Sequence, residues 1–297
     1  MNDMVARPKG PLVWLDMDQQ ELDDAYDQLK YAANAQQLGH RRTVEGAQIR
    51  ARLGEPRRMS YGPSAIETLD LYHCGRSNAP VAIFVHGGAW RARRANEFCT
   101  PAELFVRAGA HFVIPDFAGV EDHAGDIGVL ADQVARAIAF VHKTAAGWGG
   151  DPGRFYLFGH SSGAHLGGVM ATLDWQAHGL PAQMFKGALL SSGMYELAPV
   201  RLSKRSSYVT FTDANVERLS AQRHIDRLNA PLVLAYGTCE TPEFQRQTRE
   251  FHAAVRAAGK PVELIVAEGY NHFEIFETLA NPYGALGRAA LKLMNLQ

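Results

Sequence analysis

The feature that most constrains this chain is a series of short apolar runs set between helical stretches. VAIFVHGG (81–88), FVIPDF (112–117), FYLFGHS (155–161), GALLSSG (187–193), LVLAYG (232–237) and ELIVAEG (263–269) are mostly continuous rather than alternating. Such runs suit strands covered on both faces. TLDLYH (68–73) alternates instead and reads as an edge strand. Helical candidates fall between the runs, near 98–108, 126–146, 162–174, 244–258 and 284–294. Alternation of this kind predicts an α/β architecture, a mostly parallel central sheet wrapped by helices.

At 297 residues the chain is long for an ordinary domain, yet open α/β sheets reach this size as one unit. It shows no internal repeat, no low-complexity tract and no Pro/Gly/Ser linker. We therefore expect a single domain, with residues 1–60 as a small N-terminal helical arm or cap and 61–297 carrying the sheet. In the arm, residues 18–38 read as one helix, with Leu22, Ala25, Tyr26 and Leu29 at helical spacing and Gly39 ending it. Residues 40–58 carry Arg41, Arg42, Arg50, Arg52, Arg57 and Arg58. No interleaved aromatics offer stacking platforms, so this stretch reads as a solvated helix face and not as a nucleic-acid patch. The stretch 194–224 is long for a plain loop and weakly periodic. Its Tyr195, Tyr208 and Phe211 favour an ordered lid.

Composition removes several classes of function. The net charge is −1, with 46% hydrophobic and 21% charged residues, so no global basic field draws nucleic acid or an anionic membrane. Cys74, Cys99 and Cys239 are too few and too scattered for a disulfide framework, and no His/Cys cluster has metal-ligand spacing. The first residues lack the apolar core of a signal peptide, and no window approaches 18 uninterrupted apolar residues. The expectation is a cytoplasmic, soluble protein without metal or organic cofactor. The oligomeric state stays open, a homodimer included.

The chemistry rests on Gly159-His160-Ser161-Ser162-Gly163, which fits G-x-S-x-G. By chance alone the pattern arises in on the order of one chain in ten of this length. Its setting gives it weight: an apolar run leads in and a helical stretch leads out, the strand–turn–helix context of a nucleophile elbow. Ser161 takes the central position. Ser162 follows it and is expected to offer its backbone N–H to an oxyanion. His86-Gly87-Gly88-Ala89-Trp90 follows the apolar strand 81–85, where a second set of donors is needed. Gly88 and Ala89 are the candidate donors, His86 and Gly87 the supporting loop, and each donor in such a site contributes about 3 kcal/mol to the barrier reduction. His272 lies in GYNHFEIF beyond the last apolar strand, where the order Ser…acid…His places the base. His160 and His165 are closer in sequence but badly placed, and read as structural. Glu240, just past strand 232–237, is the expected acid. Glu243, three residues on, is the alternative, and Asp226 precedes the strand.

GHSSGAHL, HGGAW, the N-terminal ELDDAYDQ and YGPSAIETLDLY (61–72) together resemble the kynurenine formamidase (arylformamidase)-like branch of the α/β-hydrolase fold, over about residues 20–280. The resemblance implies a nucleophile at Ser161, an acid at Glu240, a base at His272 and an oxyanion loop at Gly87 to Ala89. Two positions depart from the family pattern. Members often carry an aspartate where Glu240 stands and a bulky aromatic where Ala89 stands. Trp90, Tyr195, Phe211 and Phe273 are expected pocket liners. The reading is an esterase first, cleaving small carboxylic esters through an acyl-enzyme. An arylformamidase acting on N-formylkynurenine or a related amide is the alternative, and a silent hydrolase fold used for binding is the remote one.

Overall fold

The structure, a computed structural model, describes residues 7–297; residues 1–6 of the expected arm lie outside the described residues. The arm opens with a small hairpin, β1 (Leu12–Trp14) and β2 (Met17–Asp18). Helix α1 (Gln19–Ala25) starts at Asp18 because two orphan donors are met there at once. The Asp18 carboxylate accepts the Glu21 N–H, and the Glu21 carboxylate accepts the Asp18 N–H. A short 3₁₀ turn at 28–31, capped by Asp27, precedes helix α2 (Ala35–Leu53). The single helix expected over 18–38 is thus two helices, and Gly39 lies inside the second instead of ending it. The caps at Asp18 and Asp27 set the boundaries, whereas Gly39 meets nothing within 4 Å and weakens its helix only by backbone entropy.

Strand β3 (Arg57–Ser60) turns into β4 (Thr68–Tyr72), which is followed by β5 (Ala79–Val85), helix α3 (Ala102–Ala108) and β6 (His111–Pro115). Then come α4 (Ile127–Thr144), β7 (Gly150–His160), α5 (Ser162–Ala171) and β8 (Gly187–Ser191). Two short helices, α6 (Ala198–Leu202) and α7 (Asp213–Leu219), form the stretch expected to be an ordered lid. The chain closes with β9 (Leu232–Gly237), α8 (Pro242–Ala257), β10 (Val262–Ala267), α9 (His272–Glu277) and α10 (Ala285–Leu293). Eight strands form one sheet in the order β10-β9-β8-β7-β5-β6-β4-β3. Pairing is parallel from β10 through to β6, and antiparallel across β6–β4 and β4–β3. This is the α/β-hydrolase arrangement.

Side-chain alternation on the central strand builds two cores. Val81, Ile83 and Val85 pack with α4, α5 and α8 residues such as Leu130, Ile138, Leu166 and Phe251. Ala82 and Phe84 face the other way, onto Phe98, Phe105, Ile275, Phe276 and Leu286. Both faces are covered, so the central strands read as continuous apolar runs. Two expectations fail at the margins. The strand 68–73 is interior, because β3 pairs along its outer side, fastened by an ion pair of Arg58 with Asp70 at 2.6 Å. The run 263–269 is an edge strand, half-buried, with Val266 exposed, because β10 pairs only with β9.

The strand ends that face the site meet backbone to backbone. A Cβ on Gly163 would lie 2.1 Å from the Val85 carbonyl oxygen, and one on Gly87 would lie 2.9 Å from the His160 carbonyl oxygen. Two substitutions separate this constraint from mere helix propensity. Gly163→Ala is expected to lower stability by about 3 kcal/mol, since backbone and not a flexible side chain must move. Gly39→Ala is expected to raise it by about 0.5–1 kcal/mol. Urea unfolding midpoints of the two variants check both signs.

Candidate active site

Ser161 stands between the end of β7 and the first residue of α5, at φ +59°, ψ −128°. That left-handed conformation is strained for serine. It is held by the Ser161 N–H donating to the Ser191 carbonyl at 3.0 Å, and by the His165 N–H donating back to the Ser161 carbonyl at 3.1 Å. The turn aims the hydroxyl at His272, the first residue of α9. His272 Nε2 lies 2.9 Å from Ser161 Oγ, and His272 Nδ1 lies 2.8 Å from Glu240 Oε2. With Nδ1–H donating to the carboxylate, Nε2 is left to accept the serine proton. All three side chains are buried, Ser161 at 8% exposure, His272 at 4% and Glu240 at 2%.

Glu240 sits in the turn after β9. Its other oxygen accepts the Ser192 hydroxyl at 2.6 Å and the Gly237 N–H at 2.7 Å. A buried carboxylate needs such donors to stay ionised. Glu243 does not share this position. It points away from His272, pairs with Arg246 and accepts the Tyr26 hydroxyl at 2.8 Å. It is buried, at the start of α8.

The loop after β5 runs through Gly88 at φ +124°, Ala89 at +56° and Trp90 at +62°. Only glycine tolerates the first of these readily. Among the described residues, the N–H groups of Gly88, Ala89 and Ser162 donate to no protein acceptor. The loop is tied to the elbow by the Trp90 N–H, which donates to Ser162 Oγ at 3.2 Å. The Ser162 hydroxyl is therefore engaged while its backbone N–H is free, a role for the hydroxyl that the sequence reading did not assign. His86 sits at the base of the loop. Its Nδ1–H donates to the Gly87 carbonyl at 2.9 Å, and its ring is stacked between Phe98 and Phe117 at 4.9 and 4.2 Å. Its Nε2 has no partner among the described residues.

The flanking histidines serve structure. His160 Nε2–H donates to the His272 carbonyl at 2.9 Å, and so fixes the backbone from which the His272 ring projects. His165 accepts the Trp90 indole N–H at 3.1 Å and donates to the Leu219 carbonyl at 3.0 Å. Burial pushes all three rings toward the neutral form. His86 is lowered, His160 is well below the ordinary range, and His165 is pulled down to about 4.

Ser161 and His272 open into a pocket of about 450 Å³. Of the expected liners only Phe273 is there. Trp90, Tyr195 and Phe211 are core residues. Trp90 packs edge-on to His165 and Phe211, and Tyr195 stacks on Phe251 at 4.3 Å. Ordinary apolar burial claims them. The walls come instead from the arm, through Tyr26, Gln28 and Arg42, and from the 194–224 stretch, through Lys204, Arg205 and Tyr208. Nothing in the sequence pattern marked Arg42, which sits in a stretch that reads as a solvated face. Ser192 was also missed, although the paired serines ending the run 187–193 were a visible signal. No metal-competent cluster occurs among the described residues, and no helix among them is long and apolar enough to cross a membrane.

Comparison with known proteins agrees with this architecture. The protein-family model described as BD-FAE matches residues 69–192. The kynurenine formamidase of Danio rerio is 29% identical over 241 residues, covering 79% of this chain and 80% of that protein. The isoprenylcysteine alpha-carbonyl methylesterase of Arabidopsis thaliana is 24% identical over 244 residues, covering 74% of this chain and 57% of that protein. A solved structure from Silicibacter sp. tm1040 superposes with a TM-score of 0.78 at 24% identity, covering 90% of this chain and 97% of that one. The chain is a hydrolase.

The buried histidines carry a pH signature. Folded His165 titrates near 4 against 6.5 for the free side chain, so between those values the unfolded chain binds the extra proton. Stability therefore falls as pH drops from 6.5 toward 4, by about 3 kcal/mol for this group alone. His86 and His160 act in the same direction. The urea midpoint should decline between about pH 7.5 and about pH 5, and His165→Gln should flatten that decline.

Proposed function

We propose that this chain, an α/β-hydrolase similar to the kynurenine formamidases over most of its length, is a serine hydrolase that cleaves small carboxylic esters. The observation that carries the reading is the hydrogen-bonded series Ser161–His272–Glu240 beside three backbone N–H groups with no acceptor among the described residues. In the proposed reaction Ser161 Oγ attacks the ester carbonyl carbon as His272 Nε2 takes its proton. Glu240 holds the imidazole in the required tautomer and stabilises its cation. The N–H groups of Gly88, Ala89 and Ser162 receive the oxyanion. The tetrahedral intermediate then breaks its bond to the alcohol oxygen, which takes the proton back from His272. Water repeats the sequence, releasing the acid and restoring Ser161.

A second reading has its own support. The Danio rerio relative is a kynurenine formamidase, and the same residues would cleave an aryl formamide, with the amine leaving in place of the alcohol. The smaller Ala89 and the methylesterase relative favour esters. Turnover of p-nitrophenyl acetate, p-nitrophenyl butyrate and N-formylkynurenine decides between them, and a strong preference for the last reverses the order.

The residue assignments have a direct test. A fluorophosphonate should label the protein, Ser161→Ala should abolish labelling, and Ser162→Ala should retain it. Labelling that survives in Ser161→Ala overturns the nucleophile. Glu240→Gln is expected to lower kcat about a thousandfold or more by favouring the wrong tautomer of His272.

A further inference from the structure

We propose that the pocket selects substrates carrying a carboxylate apart from the bond that is cleaved, and that Arg42 of α2 is the residue that binds it. This rests on the hydrolase reading above. The pocket is lined by the cations Arg42, Arg91, Arg93, Lys204 and Arg205 and by a single acid, Asp27. Three of the cations are neutralised: Arg91 by Glu121 at 2.7 Å, Arg93 by Glu97 at 3.2 Å and Lys204 by Asp27. Arg205 has no carboxylate partner among the described residues, but it is buried and held in place, donating to the Tyr208 hydroxyl and the Tyr26 carbonyl, both at 2.9 Å, with only its Nε–H left without a partner.

Arg42 differs from all of these. Among the described residues it forms no ion pair and donates no hydrogen bond. It is nevertheless half-buried, with its guanidinium 4.9 Å from the ring centre of Phe98 and 5.9 Å from that of Phe276. Desolvation holds its pKa below the usual arginine range, and its charge reaches His160, the neighbour of Ser161. A guanidinium drawn partly out of water with its donors unspent is costly, and the aromatic faces recover only part of that cost. An anion entering the pocket would satisfy it, because the planar fork matches a carboxylate in two parallel hydrogen bonds. One cation with its whole fork free, with the carboxylates Glu97 and Glu277 near enough to act on its charge, favours a single negative charge over a phosphate dianion.

The test compares two pairs of esters, each pair alike except for a carboxylate. p-Nitrophenyl hemiglutarate against p-nitrophenyl pentanoate places the charge on the acyl side. 4-Acetoxybenzoate against methyl 4-acetoxybenzoate places it on the leaving side. For at least one pair kcat/KM should favour the charged member about tenfold or more, and added sodium chloride should shrink that ratio. Arg42→Met should bring the ratio to about one or below, and Arg42→Lys should retain part of it. Each ratio is taken on one preparation, so a misfolded fraction cancels. A ratio of one or less for both pairs in the unmodified protein overturns the inference, as does a preference that Arg42→Met leaves intact. If the neutral esters turn over, only the inference has then failed. If none of the four esters turns over and the fluorophosphonate does not label, the hydrolase reading has failed and takes the inference with it.

Discussion

The close approach of α5 to the end of β5 is the constraint on which the site depends. Gly163 lies so near the Val85 and His86 carbonyls that no side chain fits between them. This contact lets α5 begin immediately after β7, and the only path between the two is a left-handed residue at Ser161. Strain of this kind costs on the order of 1–3 kcal/mol, offset by the bond from Ser161 to Ser191 and by the packing of α5 against the apolar face of the sheet. The same approach brings the first N–H of α5 beside the Gly88–Ala89 loop, and the Trp90 N–H to Ser162 Oγ holds the two together. One backbone contact thus positions the hydroxyl and gathers the donors.

The opposite wall is built from charge. Glu240 is the buried carboxylate bonded to His272, and each of its oxygens is occupied: one by Ser192 and Gly237, the other by His272, with Gln28 at 3.4 Å. An ionised carboxylate stripped of water survives only with this number of donors. The histidines His86, His160 and His165 are kept neutral by burial, so none of them adds a second cation to the site. His160 shows the economy of the arrangement. Its ring lies 4.6 Å from that of His272, yet it serves by hydrogen-bonding a backbone carbonyl and not by titrating.

Much of this was legible because sheets and elbows have local signatures. Continuous apolar runs located the strands from β5 to β9 within a few residues, and G-x-S-x-G fell between a strand and a helix as the motif requires. The residues that structure brings to the hydroxyl, Glu240 and His272, each follow a strand, so chain order alone separated them from nearer candidates. What escaped has a common physical cause. Trp90, Tyr195 and Phe211 are aromatic residues near the site in sequence, but a pocket wall and a core wall have the same composition, and only packing tells them apart. β3 was invisible because RRMS is a half-exposed edge strand with little apolar content. The arm was misdivided because side-chain caps at Asp18 and Asp27 override the helical spacing that runs across them.

Arg41 and Arg42 illustrate why the arm's contribution could not be read from pattern. Adjacent helical residues point about 100° apart, so Arg41 reaches outward to Glu277 while Arg42 turns inward over Phe98 and Phe276. A run of arginines on a helix looks like a solvated face whichever of them is turned in. The arm and the 194–224 stretch are joined over the pocket by polar contacts, among them Gln19 to the Leu202 carbonyl, Lys204 to Asp23 and Arg205 to the Tyr26 carbonyl. The groups that would make and break the bond come from strand ends, whose geometry the sheet dictates. The groups that would choose the substrate come from segments outside the sheet, free to vary without disturbing it. Likeness in the sheet therefore speaks to the reaction, and the inward-turned guanidinium on the arm speaks to what is brought to it.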